Sequence, residues 1–150
     1  MIKGYLPGVF DLFHIGHLNV IRRAKERCDY LIVGVTSDQR CFERKGITPF
    51  IPEIERLEIV KSVRHVDQAE LLDEGDKLDA WERHNFHVIF AGSDWQETKE
   101  WRDLAQNLEK LSARVQFLPY TQTTSSSKVR ERLAGKVDER KLKINNESGA

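Results

Sequence analysis

Cysteine is scarce in this sequence, and so is any excess of one charge. The chain of 150 residues has two cysteines, Cys28 and Cys41, whose spacing matches neither a CxxC redox pair nor a zinc ribbon. Acidic and basic residues number 24 each, which argues against a dedicated nucleic-acid-binding domain, because such domains usually carry a strong basic excess. Any anion site must therefore be local, and the few thiols fit a reducing cytosol better than a disulfide-rich scaffold.

Long apolar runs are also missing. No segment approaches the roughly 18 uninterrupted apolar residues of a membrane span. The first twenty residues include Lys3, Asp11 and His14, so they lack the basic start and apolar run of a signal peptide. We therefore expect a cytoplasmic protein with no membrane insertion. We expect one domain at 1–134, followed by a polar, flexible C-terminal tail at 135–150.

The chain does contain a regular alternation of apolar runs and amphipathic stretches. Uninterrupted apolar segments are typical of strands covered on both faces, and apolar residues at helical spacing predict amphipathic helices. The predicted strands are 2–10, 30–35, 66–72, 88–91 and 115–118. The predicted helices are 17–27, 53–63, 77–84, 97–111 and 125–133, with a long functional loop at 36–52. This order predicts an α/β fold, a Rossmann-like open parallel sheet with helices on both faces.

The most informative segment lies where the first strand should end and the first helix should begin. It reads Gly8-Val9-Phe10-Asp11-Leu12-Phe13-His14-Ile15-Gly16-His17. Ligands bind at this edge of open parallel sheets, and N–H groups at a helix start attract phosphate. Two imidazoles that flank a glycine can both donate hydrogen bonds to an oxyanion. The alternative is a pair of surface or N-capping histidines, and the other three histidines have no spacing that would complete a zinc site.

These residues resemble a known superfamily. His14-Ile15-Gly16-His17 matches the HxGH signature of nucleotidyltransferases. Together with Asp29 to Val35 and Ser37-Asp38, the segment from Gly8 to His17 is similar to the cytidylyltransferases that act on glycerol 3-phosphate, phosphocholine or phosphoethanolamine. The likeness covers roughly 1–134 and implies the HIGH-type nucleotidyltransferase fold. It also implies transfer of a nucleoside monophosphate from a nucleoside triphosphate to a phosphorylated acceptor, with release of pyrophosphate.

Basic residues further along the chain extend the resemblance. Lys45, in the expected loop, matches a family lysine that stabilises phosphoryl groups, and an ordinary solvated loop is the alternative. Arg56 and Arg64 lie eight residues apart and would share a face of a continuous helix, where surface salt bridges are the alternative. They resemble the arginines of the family's ER and RYVDE segments, the second of which holds the nucleotide.

Two more segments resemble nucleotide-binding motifs. Ala91 to Trp95 is similar to the family's GDDW-type segment, in which a carboxylate can accept from a base amino group and an indole can stack on a ring. An N-cap is the alternative for its polar residues. Tyr120 to Lys128 places hydroxyls and a lysine at the start of a predicted helix, as a phosphate cradle or a plain helix cap would. It resembles the family's RTEGIS segment.

The resemblance implies a set of site residues. The catalytic residues would be His14, His17 and Lys45. The nucleotide-binding residues would be Gly8, Val9, Phe10, Gly16, Arg64, Asp94, Trp95, Tyr120, Thr121, Ser125, Ser126, Ser127 and Lys128. The acceptor-binding residues would be Asp11, Asp38, Arg56 and Lys77. No protein metal site is expected, because Mg²⁺ would be held mainly by the nucleotide phosphates.

One departure from the family pattern affects the choice of nucleotide. Tyr120 stands where the family has arginine, and Gln122-Thr123-Thr124 replaces Glu-Gly-Ile, which removes charge and donors from the nucleotide site. The resemblance implies a homodimer that transfers CMP from CTP to glycerol 3-phosphate, giving CDP-glycerol for cell-surface polymers. Three alternatives stay open: phosphocholine or phosphoethanolamine as acceptor, an ATP-dependent adenylyltransferase acting on a sugar phosphate or flavin precursor, and a nucleotide-sensing module without turnover.

Overall fold

A computed structural model describes residues 1–119 and 124–135. These ranges contain one sheet of five strands: β1 (Lys3–Gly8), β2 (Tyr30–Thr36), β3 (Gln68–Leu72), β4 (Val88–Gly92) and β5 (Arg114–Leu118). All neighbouring strands are parallel, in the order β3-β2-β1-β4-β5. The expected roles of Tyr120 and Thr121, and the expected tail beyond Gly135, lie outside the described residues.

Helices cover both faces of the sheet. They are α1 (Ile15–Lys25), α2 (Asp38–Lys45), α3 (Glu53–Lys61), α4 (Lys77–His84), α5 (Lys99–Glu109) and α6 (Ser126–Leu133), with a short 3₁₀ helix at Ser93–Trp95. Alternate residues of β1 enter different cores: Leu6 packs with α1 and α3, and Tyr5 packs with α4 and α5. The predicted α/β architecture is confirmed. Within the described ranges, no helix combines the length and the apolar character needed to cross a membrane.

One helix lies where the sequence predicted a loop. The expectation of a single loop over 36–52 is wrong, because α2 occupies Asp38–Lys45. The helix has no apolar periodicity to reveal it, since Cys41 is its only buried residue. Its ends carry local signals: the Ser37 side chain accepts from the Arg40 N–H, and Gly46 ends the helix at φ 71°. Lys45 is therefore the last residue of a helix.

Arg56 of α3 is buried, with 1% of its surface exposed. Its Nε donates to the Ile51 carbonyl at 2.8 Å, and its Nη1 donates to the carbonyls of Val9 and Thr36 at 2.7 Å each. Its Nη2 forms an ion pair with Asp38 at 2.7 Å. One guanidinium thus connects the start of α3 to the segments that follow β1 and β2.

Arg64 has a different environment from Arg56. Helix α3 ends at Lys61, so Arg64 lies beyond it, and its side chain is exposed. The condition for the two arginines to share a face, a helix that continues to Arg64, is therefore not met.

We predict that Arg56→Met lowers the free energy of unfolding by about 3–5 kcal/mol, because it leaves buried carbonyls and a carboxylate without their donor. Arg64→Met removes the same charge from an exposed position and should change that free energy by less than about 0.5 kcal/mol. Urea unfolding followed by circular dichroism measures both variants. Equal losses in the two would contradict an anchoring role for Arg56.

Candidate functional site

A cleft of about 800 Å³ opens at the carboxyl edge of the sheet. Its walls come from the segments that follow β1, β2, β3 and β4 and from the start of α6. Connections leave the neighbouring strands β1 and β4 toward opposite sides, the position where open parallel sheets bind ligands. The expected site residues that line it are Gly8, Val9, Phe10, Asp11, His14, Gly16, His17, Lys45, Lys77, Asp94, Trp95, Ser125, Ser126 and Ser127.

Among the described residues, four expected site residues do not line the cleft: Asp38, Arg56, Arg64 and Lys128. Asp38 and Arg56 bind each other, so the geometry does not support the direct acceptor contacts that the resemblance implied for them. Arg64 is exposed elsewhere on the surface. Lys128 lies in the first turn of α6, where its backbone N–H donates to Ser125 Oγ at 3.1 Å.

The two histidines of the HxGH segment form the N-cap of α1. The Gly16 N–H donates to His14 Nδ1 at 3.0 Å, and the His14 N–H donates to His17 Nδ1 at 3.2 Å. Gly16 is required by space, since a Cβ there would lie 2.7 Å from His14 Cε1. The capping interpretation and the ligand-binding interpretation are therefore compatible, because capping uses only one nitrogen of each ring.

This capping fixes the protonation of both rings. A neutral imidazole whose Nδ1 accepts a hydrogen bond carries its proton on Nε2. Desolvation, followed by the nearby His14, lowers the pKa of His17 to about 4, and desolvation also lowers the pKa of His14. Both rings are thus neutral Nε2–H donors at neutral pH, and both line the cleft.

Asp11 connects three segments of the cleft and is almost fully buried. Its carboxylate accepts from the N–H groups of Phe50 and Ile51 at 2.8 and 2.9 Å and pairs with Arg130 of α6 at 2.7 Å. Its backbone carbonyl accepts from Ser126 Oγ at 2.7 Å. Although burial opposes ionisation, the hydrogen bonds from Ile51 and Phe50 and the pairing with Arg130 hold the pKa of Asp11 below its usual value.

The backbone on either side of Asp11 is strained. Phe10 and Leu12 have φ values of 57° and 53°, in the left-handed region that favours glycine. Such residues persist where surrounding contacts over-determine the backbone, as the bonds to Asp11 do here. These two residues lie in the connection that leads from β1 to His14 and α1.

Helix α6 brings further groups to the histidines. Ser125 caps it, and Ser126 Oγ lies 3.4 Å from His14 Nε2, within reach of the proton on that nitrogen. The N–H groups of the first turn and the serine hydroxyls form one wall of the cleft. Arg130, which sequence reasoning missed, lies one turn further along and also lines the cleft.

A second wall carries charged and aromatic groups from α2, α4 and α5. Sequence reasoning had found Lys45 and Lys77 there, but it missed Glu100 and Trp101. Arg44 also lines this wall. The cap of α2 at Ser37 and Gly46 was the one local signal that would have placed Arg44 on a helix. Within 1–119 and 124–135, no three His, Cys, Asp or Glu side chains are grouped as metal ligands.

The chain is similar to several known proteins over most of its length. The family model described as cytidylyltransferase-like matches residues 5–132. The FAD synthase of Pyrococcus horikoshii is 34% identical over 138 residues, which cover 88% of this chain and 92% of that protein. The glycerol-3-phosphate cytidylyltransferase of Bacillus subtilis is 32% identical over 137 residues, which cover 90% of this chain and 99% of that protein.

A solved structure shares the fold. It is that of a lipopolysaccharide core biosynthesis protein from Thermoplasma volcanium, with a TM-score of 0.69 and 29% identity. The match covers 83% of this chain and 99% of that one.

We predict that the His17 ring is neutral with its proton on Nε2 from pH 8 down to about pH 5, and that it protonates near pH 4. A free histidine protonates near about 6.5. The ¹⁵N chemical shifts of the ring report both the tautomer and the titration, and His17→Ala identifies the resonances by their loss. A proton on Nδ1, or a midpoint near that of free histidine, would contradict the capping geometry.

The same shift predicts how stability depends on pH. Folding lowers the pKa of His17. Between the two pKa values, the unfolded chain therefore binds a proton at His17 and the folded chain does not. The stabilisation is complete above the unfolded pKa of about 6.5 and is lost as the pH falls toward 4. The difference in unfolding free energy between the wild type and His17→Ala should therefore shrink over that range, and a constant difference would contradict the shift.

Proposed function

The chain belongs to the cytidylyltransferase-like family of nucleotidyltransferases, and on this premise we propose that it transfers a nucleoside monophosphate from a nucleoside triphosphate to a small phosphorylated acceptor. The observation that carries the proposal is the pair of neutral Nε2–H donors, His14 and His17, beside the start of α6. Neutral rings donate to phosphate oxygens without the cost of desolvating an imidazolium. The arrangement suits an anion that gains charge during the reaction.

The chemistry we propose is a direct in-line displacement. A phosphate oxygen of the acceptor attacks the α-phosphorus, the bond to the bridging oxygen breaks, and pyrophosphate leaves. Such reactions are catalysed mainly by positioning and by stabilisation of charge, and they need no covalent enzyme intermediate. The Nε2–H groups of His14 and His17 would donate to the α- and β-phosphate oxygens, where negative charge accumulates.

Positive groups on both sides of the histidines would hold the triphosphate. Lys45, at the end of α2, and the serines at the start of α6 line the cleft. The first N–H groups of a helix bind phosphate. Mg²⁺ would enter with the triphosphate and neutralise part of its charge. We assign it mainly to the phosphates, because two of the three described carboxylates in the cleft are engaged: Asp11 accepts three hydrogen bonds and Glu100 is paired with Lys77. The third, Asp94, would be the one to contact the ion.

For the substrates we propose CTP and glycerol 3-phosphate. Support comes from the similarity to the Bacillus subtilis cytidylyltransferase over nearly its whole length, and from the cations Arg44 and Lys77 in the cleft wall, which suit a small phosphorylated acceptor. A homodimer stays a prediction from the resemblance, and a cytoplasmic location stays a prediction from the sequence.

A second candidate is adenylyl transfer from ATP to a flavin phosphate. The specific support is the 34% identity to the Pyrococcus horikoshii FAD synthase, together with the indoles of Trp95 and Trp101 in the cleft wall. Indole faces can stack on a flat ring system.

Pyrophosphate release with Mg²⁺ tests these assignments. CTP and ATP are each assayed with glycerol 3-phosphate, phosphocholine, phosphoethanolamine, a heptose phosphate and flavin mononucleotide. We expect turnover with CTP and glycerol 3-phosphate. Turnover only with ATP and the flavin would support the second candidate instead, and binding of nucleotide without pyrophosphate release in any combination would contradict an enzymatic function.

We predict that His17→Ala lowers kcat about a hundredfold or more, as expected for the loss of one preorganised donor to a developing charge. His65→Ala serves as the matched control, because His65 does not line the cleft. Circular dichroism verifies that both variants fold. Near-normal turnover in folded His17→Ala would refute the role of His17.

A further inference from the structure

The cleft wall contains an ion pair that the proposed chemistry does not use. Lys77, the first residue of α4, contacts Glu100 of α5 with 3.0 Å between Nζ and Oε1. Lys77 Nζ also lies 4.9 Å from the centre of the Trp101 ring. All three residues line the cleft. The Lys77 side chain is 16% exposed and that of Glu100 is 62% exposed, so the lysine is held in place while the carboxylate reaches into solvent.

Further cations act on the same carboxylate. The hydrogen bond and the charge of Lys77, followed by the charges of Arg44 and Arg40, lower the pKa of Glu100. Burial and the nearby Arg44 lower the pKa of Arg40, which shows that the two arginines of α2 lie close enough to repel. Three cations therefore act on the Glu100 carboxylate, and the charge of Asp76 also acts on Arg40 and on Lys77.

We propose that Glu100 sets the affinity of the acceptor site, in that its carboxylate occupies Lys77 until the phosphate of a doubly charged phosphomonoester displaces it. This inference rests on the proposed function and assigns the substrate class of that site. A carboxylate carries one negative charge, whereas a phosphomonoester carries nearly two at neutral pH. The three cations therefore attract a dianion more strongly than they attract the carboxylate. They attract a monoanion, such as a phosphodiester, no more strongly than they attract the Glu100 carboxylate.

The surroundings of the pair favour such an exchange. Glu100 can turn into water at little cost, because more than half of its side chain is already solvated. Lys77 is held more firmly than Glu100, since its side chain is 16% exposed and its ammonium group contacts the Trp101 ring. The exchange therefore leaves the cation in the cleft, where the phosphate needs it.

The test is Glu100→Gln, which keeps the shape of the side chain and removes its charge. We expect KM for the acceptor to fall about two- to fivefold, the range for one half-exposed ion pair, with kcat nearly unchanged. Isothermal titration with methyl phosphate and dimethyl phosphate gives a readout that does not depend on turnover. The dianionic methyl phosphate and the monoanionic dimethyl phosphate should both bind about two- to fivefold more tightly in Glu100→Gln, because neither then has to displace a carboxylate from Lys77.

Two controls separate this effect from a general change of charge. Asp103→Asn makes the same charge change on the same helix, at an exposed position that does not line the cleft, and it should leave KM and both titrations unchanged. In a Lys77→Met background, Glu100→Gln should no longer tighten binding, because the pair is already broken.

The outcomes distinguish this inference from the proposed function. Unchanged or weaker binding in Glu100→Gln, or an equal change in Asp103→Asn, would overturn the role of Glu100 while turnover of the wild type continued. If the wild type turned over no acceptor, the proposed function would fail, and the two titrations would still decide whether Glu100 competes with phosphate for Lys77.

Discussion

Two buried charges, Asp11 and Arg56, hold one short piece of backbone from opposite sides, and the shape of the cleft depends on them. Asp11 accepts from the N–H groups of Phe50 and Ile51, and Arg56 donates to the carbonyl of Ile51. A buried charge without partners costs several kcal/mol. Both side chains therefore need hydrogen bonds with the same stretch of backbone, at Phe50 and Ile51. The segments after β1, after β2 and before α3 are thereby fixed to one another.

This fixation explains how a strained backbone can carry the functional histidines. Phe10 and Leu12, on either side of Asp11, occupy left-handed conformations that cost about 1–3 kcal/mol each. The bonds to Asp11 offset that cost and leave His14 at the start of α1 beside α6. The donors are then oriented before any ligand arrives, which is the condition under which hydrogen bonds stabilise a transition state most strongly.

Most of the fold could be predicted from the sequence because its signals are local. Apolar runs and helical spacing revealed every described strand and five of the six described α-helices, and they failed for α2, where only Cys41 is buried. The HxGH segment was recognisable for the same reason. The roles of Arg56 and Arg130 could not be predicted, because their partners are distant in sequence: Arg130 meets Asp11 across 119 residues. A sequence pattern carries no trace of such a pairing.

The neutral composition of the chain also concealed how its charges are arranged. Three cations near the cleft each meet a carboxylate: Arg56 with Asp38, Arg130 with Asp11, and Lys77 with Glu100. The pairs differ in how exposed the carboxylate is. Asp11 is 1% exposed and cannot leave its partner without an unpaired buried charge, whereas Glu100 is 62% exposed and can. Burial of the carboxylate, rather than the presence of the cation, therefore separates the pairs that build the cleft from the pair that can respond to an anionic ligand.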